Sequence, residues 1–173
     1  MQLRDPRPQH GFNTVELIVA IAIVLVVAGV LLERLLFYQE AAEKARMELE
    51  VTALKLALQA QIGTRIAEHE QVDYPALARE NPVRWLDAPM TSYRGEPGPQ
   101  EANVLPGGSW YFDKGALELV YVPRLRRHLH ADGIGRNDVR FHVQVMRAQA
   151  GARKDDLATV GLRLVPVSAY RWF

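Results

Sequence analysis

Apolar residues are concentrated near the N-terminus of the chain. From Leu17 to Leu32 every residue is apolar or glycine, and the apolar segment extends back to Phe12 with few polar members. As a helix, these roughly 21 residues would be about 30 Å long, which matches the hydrocarbon core of a bilayer. We therefore predict a membrane-spanning helix over residues 12–32.

The charges that flank this segment predict its orientation. Arg4 and Arg7 lie just before it, and positively charged flanks stay on the cytoplasmic side, so the chain after Leu32 should lie on the other side. A cleaved secretory signal is the alternative interpretation. It is disfavoured because the helical pattern continues through Glu33 and Arg34 without the small-residue cleavage site that follows a signal peptide.

The same helix should continue well beyond the membrane. Between Phe12 and Ile62 there is no proline and only one glycine, Gly29, and strong helix formers dominate residues 38–50. We predict one continuous helix over residues 12–62, ended or loosened by Gly63.

Past the membrane segment, the apolar residues of this helix form two stripes. The first stripe consists of Leu35, Tyr38, Ala42, Ala45, Leu49, Ala53, Leu56 and Ala60. The second stripe, on roughly the opposite face, consists of Met47, Val51, Leu54, Leu58 and Ile62. A helix on the surface of a globular domain needs only one apolar stripe, so two opposed stripes predict two partners. We expect the second stripe to pack on the chain's own later domain and the first to remain available to other subunits. The alternative is a helix enclosed on both faces by a single core.

The rest of the chain changes from helical to alternating periodicity. Residues 63–108 form a connecting region rich in turn residues, in which Asn81 and Pro82 predict the cap and first position of a short helical turn. Four later segments are rich in aromatic and β-branched residues and predict strands: 109–112, 117–122, 139–146 and 160–167. Residues 113–115 predict a hairpin turn between the first two. The predicted fold class is α+β, with a long N-terminal helix packed on an antiparallel sheet of about four strands in residues 109–173.

Composition adds little to this pattern. The chain has 21 basic and 20 acidic residues, and this balance favours no charged partner. It has no cysteine, which excludes disulfides and any cysteine-based metal or redox chemistry.

Charged side chains offer few candidate sites. A basic cluster could contact nucleic-acid phosphates, but no recognisable nucleic-acid-binding module surrounds it, so a solvated loop is the favoured interpretation. The cluster consists of Arg124, Arg126, Arg127, His128 and His130. Its two histidines have no third ligand at a metal-binding spacing.

Calcium remains the one cofactor alternative. Asp132, Asn137 and Asp138 lie in a glycine-containing loop, but their spacing does not match a defined calcium-binding loop. We therefore predict no cofactor and no metal, with calcium left open. Ser, His and Asp occur without the sequence context of a catalytic nucleophile, so we expect no enzyme activity.

The residues at the start of the apolar segment resemble a known processing motif. Gly11, Phe12 and Glu16, followed at once by the apolar run, are similar to the prepilin peptidase site of type IV pilins and type II secretion pseudopilins. The resemblance implies cleavage after Gly11, removal of residues 1–11 as a leader peptide and methylation of Phe12 as the new N-terminus. It is strong over the N-terminal third and weaker over the helix-then-sheet order that follows.

Physical chemistry gives Glu16 a role that agrees with this resemblance. A carboxylate inside an apolar membrane helix costs about 3 kcal/mol on insertion scales, so it should have a partner. No cation lies within the segment, but cleavage after Gly11 would create the amine of Phe12. Electrostatic pairing is strong where the dielectric constant is low, so this amine could pair with Glu16 of the next subunit. The alternative is that Glu16 lies near the interface and snorkels or is protonated.

Three departures from the family pattern favour a minor pilin or a pseudopilin over a major pilus subunit. Asn13 stands where the family usually has threonine, Glu33 and Arg34 stand where many major pilins have a proline, and the paired cysteines are missing. The implied partners are prepilin peptidase and other pilin or pseudopilin subunits, and nucleic acid is not expected.

The resemblance also implies a location and leaves two alternatives. The chain should cross the bacterial inner membrane once, with its C-terminal domain in the periplasm, before it enters a filament. A membrane-anchored extracytoplasmic protein and a DNA-binding pilus-tip subunit are the alternative functions.

Overall fold

The computed structural model describes residues 14–131, 138–149 and 157–173. A single helix, α1, covers Thr14–Ala67, and its later part packs on a four-stranded antiparallel sheet. The predicted α+β fold class is confirmed. The chain divides into two compact units between Gln39 and Glu40, so that α1 contributes its first part to one unit and its second part to the other.

The end of α1 lies later than predicted. The helix continues through Gly63 to Ala67, because one glycine in a helix costs only about 1 kcal/mol relative to alanine. It stops at His69, which adopts a left-handed φ of 58°. The amide of Glu70 then donates to the carbonyl of Arg65 and that of His69 to the carbonyl of Ile66, the hydrogen-bond pattern that commonly closes a helix.

Three short helical turns connect α1 to the sheet. α2 is Tyr74–Leu77, a 3-10 turn covers Pro82–Trp85, and α3 is Pro99–Ala102. The prediction for Asn81 is confirmed, since its side chain accepts a hydrogen bond from the amide of Val83 and Pro82 opens the turn.

Within the described residues, the sheets contain the four predicted strands and two more. The strands are β1 Ser109–Asp113, β2 Glu118–Val122, β3 Leu129–Ala131, β4 Val139–Gln149, β5 Leu157–Pro166 and β6 Tyr170–Trp172. The main sheet has the order β1-β2-β4-β5, and all neighbours are antiparallel. β3 and β6, which periodicity did not reveal, pair with each other in a separate two-stranded sheet.

The core lies between α1 and one face of the main sheet. Met47, Val51, Leu54 and Leu58 of the second stripe are buried there, and Ile62 packs at the margin. From the sheet side the buried residues include Trp110, Phe112, Leu119, Tyr121, Phe141 and Leu164. The prediction that the second stripe packs on the chain's own domain is confirmed.

Candidate anchor and assembly surface

The first part of α1 is an uncovered apolar surface. Every residue from Thr14 to Gln39 is exposed, and an exposed apolar surface of this extent marks a contact with membrane or protein. By length and composition, this helix is able to cross a bilayer, in agreement with single-pass anchoring.

The candidate processing residues are only partly within the described chain. Gly11 and Phe12 lie outside the described residues. Glu16 lies in the first turn of α1 and is exposed. The predicted charge pair between Glu16 and the amine of Phe12 therefore stays a prediction.

The first stripe is open along its whole length. Its four large members, Leu35, Tyr38, Leu49 and Leu56, are all at least half exposed, and the alanines between them are exposed too. Leu49 is 71% exposed and Leu56 61%. The alternative of a helix enclosed on both faces is therefore wrong for this chain. The single main sheet reaches only one side of α1.

A buried glutamate extends the docking face of α1 toward the N-terminus. Glu40 is only 2% exposed. Its Oε1 accepts hydrogen bonds from the amide of His128 and the indole of Trp172, and its Oε2 lies 2.8 Å from Nδ1 of His128. Burial alone would raise the pKa of Glu40, but these hydrogen bonds outweigh burial and hold the pKa below its ordinary value.

Two further glutamates on the same side of α1 bind the sheet unit. Glu43 accepts hydrogen bonds from the amides of Arg124 and Leu125 and from the hydroxyl of Tyr121, 2.9 Å away. Burial and this hydrogen bond raise the pKa of Tyr121. Glu50 accepts hydrogen bonds from the indole of Trp110 and the hydroxyl of Ser92. Each carboxylate thus satisfies donors that would otherwise be buried without a partner.

Sequence reasoning missed this role of the glutamates. The predicted second stripe begins at Met47, whereas the docking face begins at Glu40. Glu40 and Glu43 precede Met47 by seven and four residues, which is the spacing of one helix face. That spacing was the available signal, but the donors that justify burying a carboxylate lie far away in the chain.

Four of the five members of the basic cluster are exposed, three of them in the loop before β3 and His130 on β3 itself. Arg124, Arg126, Arg127 and His130 are exposed. His128 differs, because it is partly buried against Glu40. Asp132 and Asn137 of the calcium alternative lie outside the described residues, and Asp138 forms an ion pair with Arg140 at 2.8 Å. Among the described residues there is no group of three or more metal-ligating side chains that could hold an ion.

The sheet face turned away from α1 carries a cleft with paired charges. The cleft has a volume of about 550 Å³ and lies beside α3 and the turn between β1 and β2. Arg140 lines it and makes ion pairs with Glu118 and Asp138 at 2.8 Å and with Asp113 at 3.6 Å. Burial alone would lower the pKa of Arg140, but its hydrogen bonds to Asp138 and Glu118 raise it. The arginine therefore serves to join neighbouring strand ends.

Comparison of this chain with protein-family models, with curated proteins and with solved structures gave no significant match.

Proposed function

We propose that this chain is a structural subunit, a minor pilin or pseudopilin, of a type IV pilus or type II secretion filament. In this proposal it is anchored in the bacterial inner membrane with its sheet unit in the periplasm. Prepilin peptidase cleaves it after Gly11 and methylates Phe12, and it then joins other subunits through α1. It has no catalytic role.

The open first stripe is the observation that carries the proposal. α1 presents Leu49 and Leu56 to solvent directly behind a face that is fully docked on the sheet. Exposed apolar residues at helical spacing fit the apolar face of another helix. In the sequence, the stripe begins at Leu35, next to the membrane-length segment.

The processing step is tested by the mass of the mature N-terminus. We expect a chain that begins at methylated Phe12, and we expect Gly11→Val to remain uncut because a β-branched side chain crowds the scissile bond. Gly29→Val is the matched control, since a side chain at Gly29 meets no atom within 4 Å and should leave cleavage intact. A mature chain that begins at Met1 or beyond residue 30 would contradict the proposal and favour a permanently anchored protein.

The assembly step is tested by cross-linking in cells. Because the chain has no cysteine, single cysteines report one position at a time. Ala53→Cys and Leu56→Cys should form disulfide-linked dimers with the same substitution in a neighbouring subunit, or heterodimers with a partner subunit that carries a cysteine on its own exposed helix face. Lys55→Cys, exposed beside the first stripe, is the control and should cross-link far less. Equal cross-linking at all three positions would mean that the first stripe is not the contact.

A further inference from the structure

The two-stranded sheet has one docked face and one basic face. Paired residues of antiparallel strands lie on the same side of a sheet. Leu129 pairs with Trp172 on the side that contacts α1, and His130 pairs with Arg171 on the other side. Arg126 and Arg127 lie in the loop just before β3. We call the exposed surface of Arg126, Arg127, His130 and Arg171 the basic face.

The charges of the basic face are uncompensated. Within the described part of the chain, Arg126, Arg127 and Arg171 make no ion pair. The nearest carboxylates of α1 are engaged elsewhere, since Glu40 accepts from His128 and Trp172, and Glu43 accepts from Tyr121 and from backbone amides of the loop. Nε of Arg126 donates a hydrogen bond to the carbonyl of Pro123. Apart from this bond, the three guanidinium groups are available to bind an external anion.

The chain limits how far this basic face can lie from the bilayer. His128 and Trp172, neighbours of Arg127 and Arg171, both contact Glu40. Glu40 follows Leu32, the last residue of the apolar run, by only eight positions of the same helix. Eight residues span no more than about 28 Å even when fully extended. The headgroup layer adds several ångströms to the hydrocarbon core on each side, and this short connection keeps the sheet unit in its vicinity.

We propose that the basic face binds the anionic headgroups of the membrane in which the unassembled subunit is anchored. Arginine forms bidentate hydrogen bonds with phosphate, and basic residues close to an anionic bilayer each add to membrane attraction. This contact holds the sheet unit against the bilayer before assembly. It rests on the membrane anchoring of the proposed function but not on filament formation.

The test uses the full-length chain in lipid nanodiscs. Ser168, exposed in the turn before β6, is replaced by the only cysteine and carries a donor dye, and a small share of lipid headgroups carries an acceptor. Energy transfer should be higher in discs of phosphatidylcholine with phosphatidylglycerol than in phosphatidylcholine alone. High salt should reverse the increase, because it screens charges across the headgroup layer.

Variants of the basic face should remove this dependence. Each arginine lost should lower the ratio of docked to undocked protein about fivefold, and loss of Arg126, Arg127 and Arg171 together should lower it on the order of 100-fold. Arg163→Gln is the matched control for Arg171→Gln, because Arg163 is also exposed but lies on β5; it should keep the lipid dependence. Thermal melting of each variant checks that the fold is intact.

Other outcomes of these experiments would contradict the inference or the anchoring on which it rests. The inference would be overturned if energy transfer did not increase with phosphatidylglycerol, or if the increase persisted in the triple variant. The inference would also be overturned if duplex DNA bound the chain in neutral discs, this binding were lost in the triple variant, and no lipid response were seen. The basic face would then be a nucleic-acid surface. Alkaline extraction separates these failures from failure of the proposed function: a chain that is washed off the membrane was never anchored.

Discussion

The two stripes of α1 contain the same kinds of residue in opposite environments. Leu58 is 1% exposed, whereas Leu56, two positions earlier, is 61% exposed. Side-chain hydrophobicity is identical, so burial is decided by the position of the sheet, which covers one side of the helix. The difference teaches that the exposed leucines are available for a second partner, since monomeric proteins rarely keep extended apolar surface uncovered without a use.

The glutamates of α1 show the same contrast between buried and exposed positions, here for charged side chains. Glu40 is buried and receives several hydrogen bonds, whereas Glu48 is exposed on a side of the helix away from the core. Burying a carboxylate without donors would cost several kcal/mol. The docked face of α1 is therefore defined by matched donors at its beginning and by apolar packing further along.

Deleting the docked part of α1 should have the largest effect. A fragment that lacks residues 1–35 should be soluble and monomeric, because it keeps Met47 to Ile62 over the sheet. A fragment that also lacks residues 36–62 should aggregate, because the inner face of the sheet would be exposed. Size-exclusion chromatography and circular dichroism check both. Equal folding of the two fragments would mean that the second stripe is not needed by the sheet.

Truncating one leucine in each stripe sharpens the comparison. Leu58→Ala should lower the free energy of unfolding of the soluble fragment by about 2–5 kcal/mol, as expected for a cavity in a packed core. Leu56→Ala removes the same atoms from an exposed site and should change it by less than about 0.5 kcal/mol. Urea denaturation measures both. Similar losses for the two variants would contradict the assignment of the faces.

Acidification should lower the stability of the soluble fragment, because Glu40 becomes protonated. Its pKa in the folded chain lies below the ordinary value of 4.5, so its contribution to stability is complete above that value and is lost as the pH falls through the folded pKa. The melting temperature of the soluble fragment should therefore fall on acidification. Glu40→Gln should show a shallower acid slope than Glu70→Gln, which removes an exposed carboxylate beyond the end of α1. If the melting temperatures of the two variants fell equally steeply with pH, this role of Glu40 would be contradicted.

Substitutions in the first stripe should have the smallest effect on stability. Their effect on assembly should be the clearest. Leu49→Asp should change the free energy of unfolding by less than about 0.5 kcal/mol because Leu49 is exposed in the isolated chain. It should impair assembly in cells, since it would place an unpaired charge between helices. Gln59→Asp, exposed beside the stripe, should leave assembly intact. Normal assembly of Leu49→Asp would remove the first stripe from the proposed contact.

Local pattern was sufficient for much of this architecture. Helical periodicity identified which of Leu54, Leu56 and Leu58 are buried, because side-chain direction repeats within a few residues and needs no knowledge of the partner. Alternation identified the four strands of the main sheet, and the Asn81-Pro82 pair identified a capped turn, for the same local reason. The membrane-length segment follows from apolar composition alone.

Tertiary structure decided everything that depends on residues far apart in the chain. The donors to Glu40 lie on His128 and Trp172, 88 and 132 positions away, and no local pattern specifies such partners. β3 and β6 are three residues each, too short for periodicity, and exist because they pair with each other over α1. The basic residues Arg126, Arg127 and Arg171 lie far beyond the flanks that set membrane orientation. Only folding brings them near Glu40. Hydrogen bonds and side-chain packing join residues that are distant in sequence, whereas secondary-structure propensity depends on neighbouring residues alone.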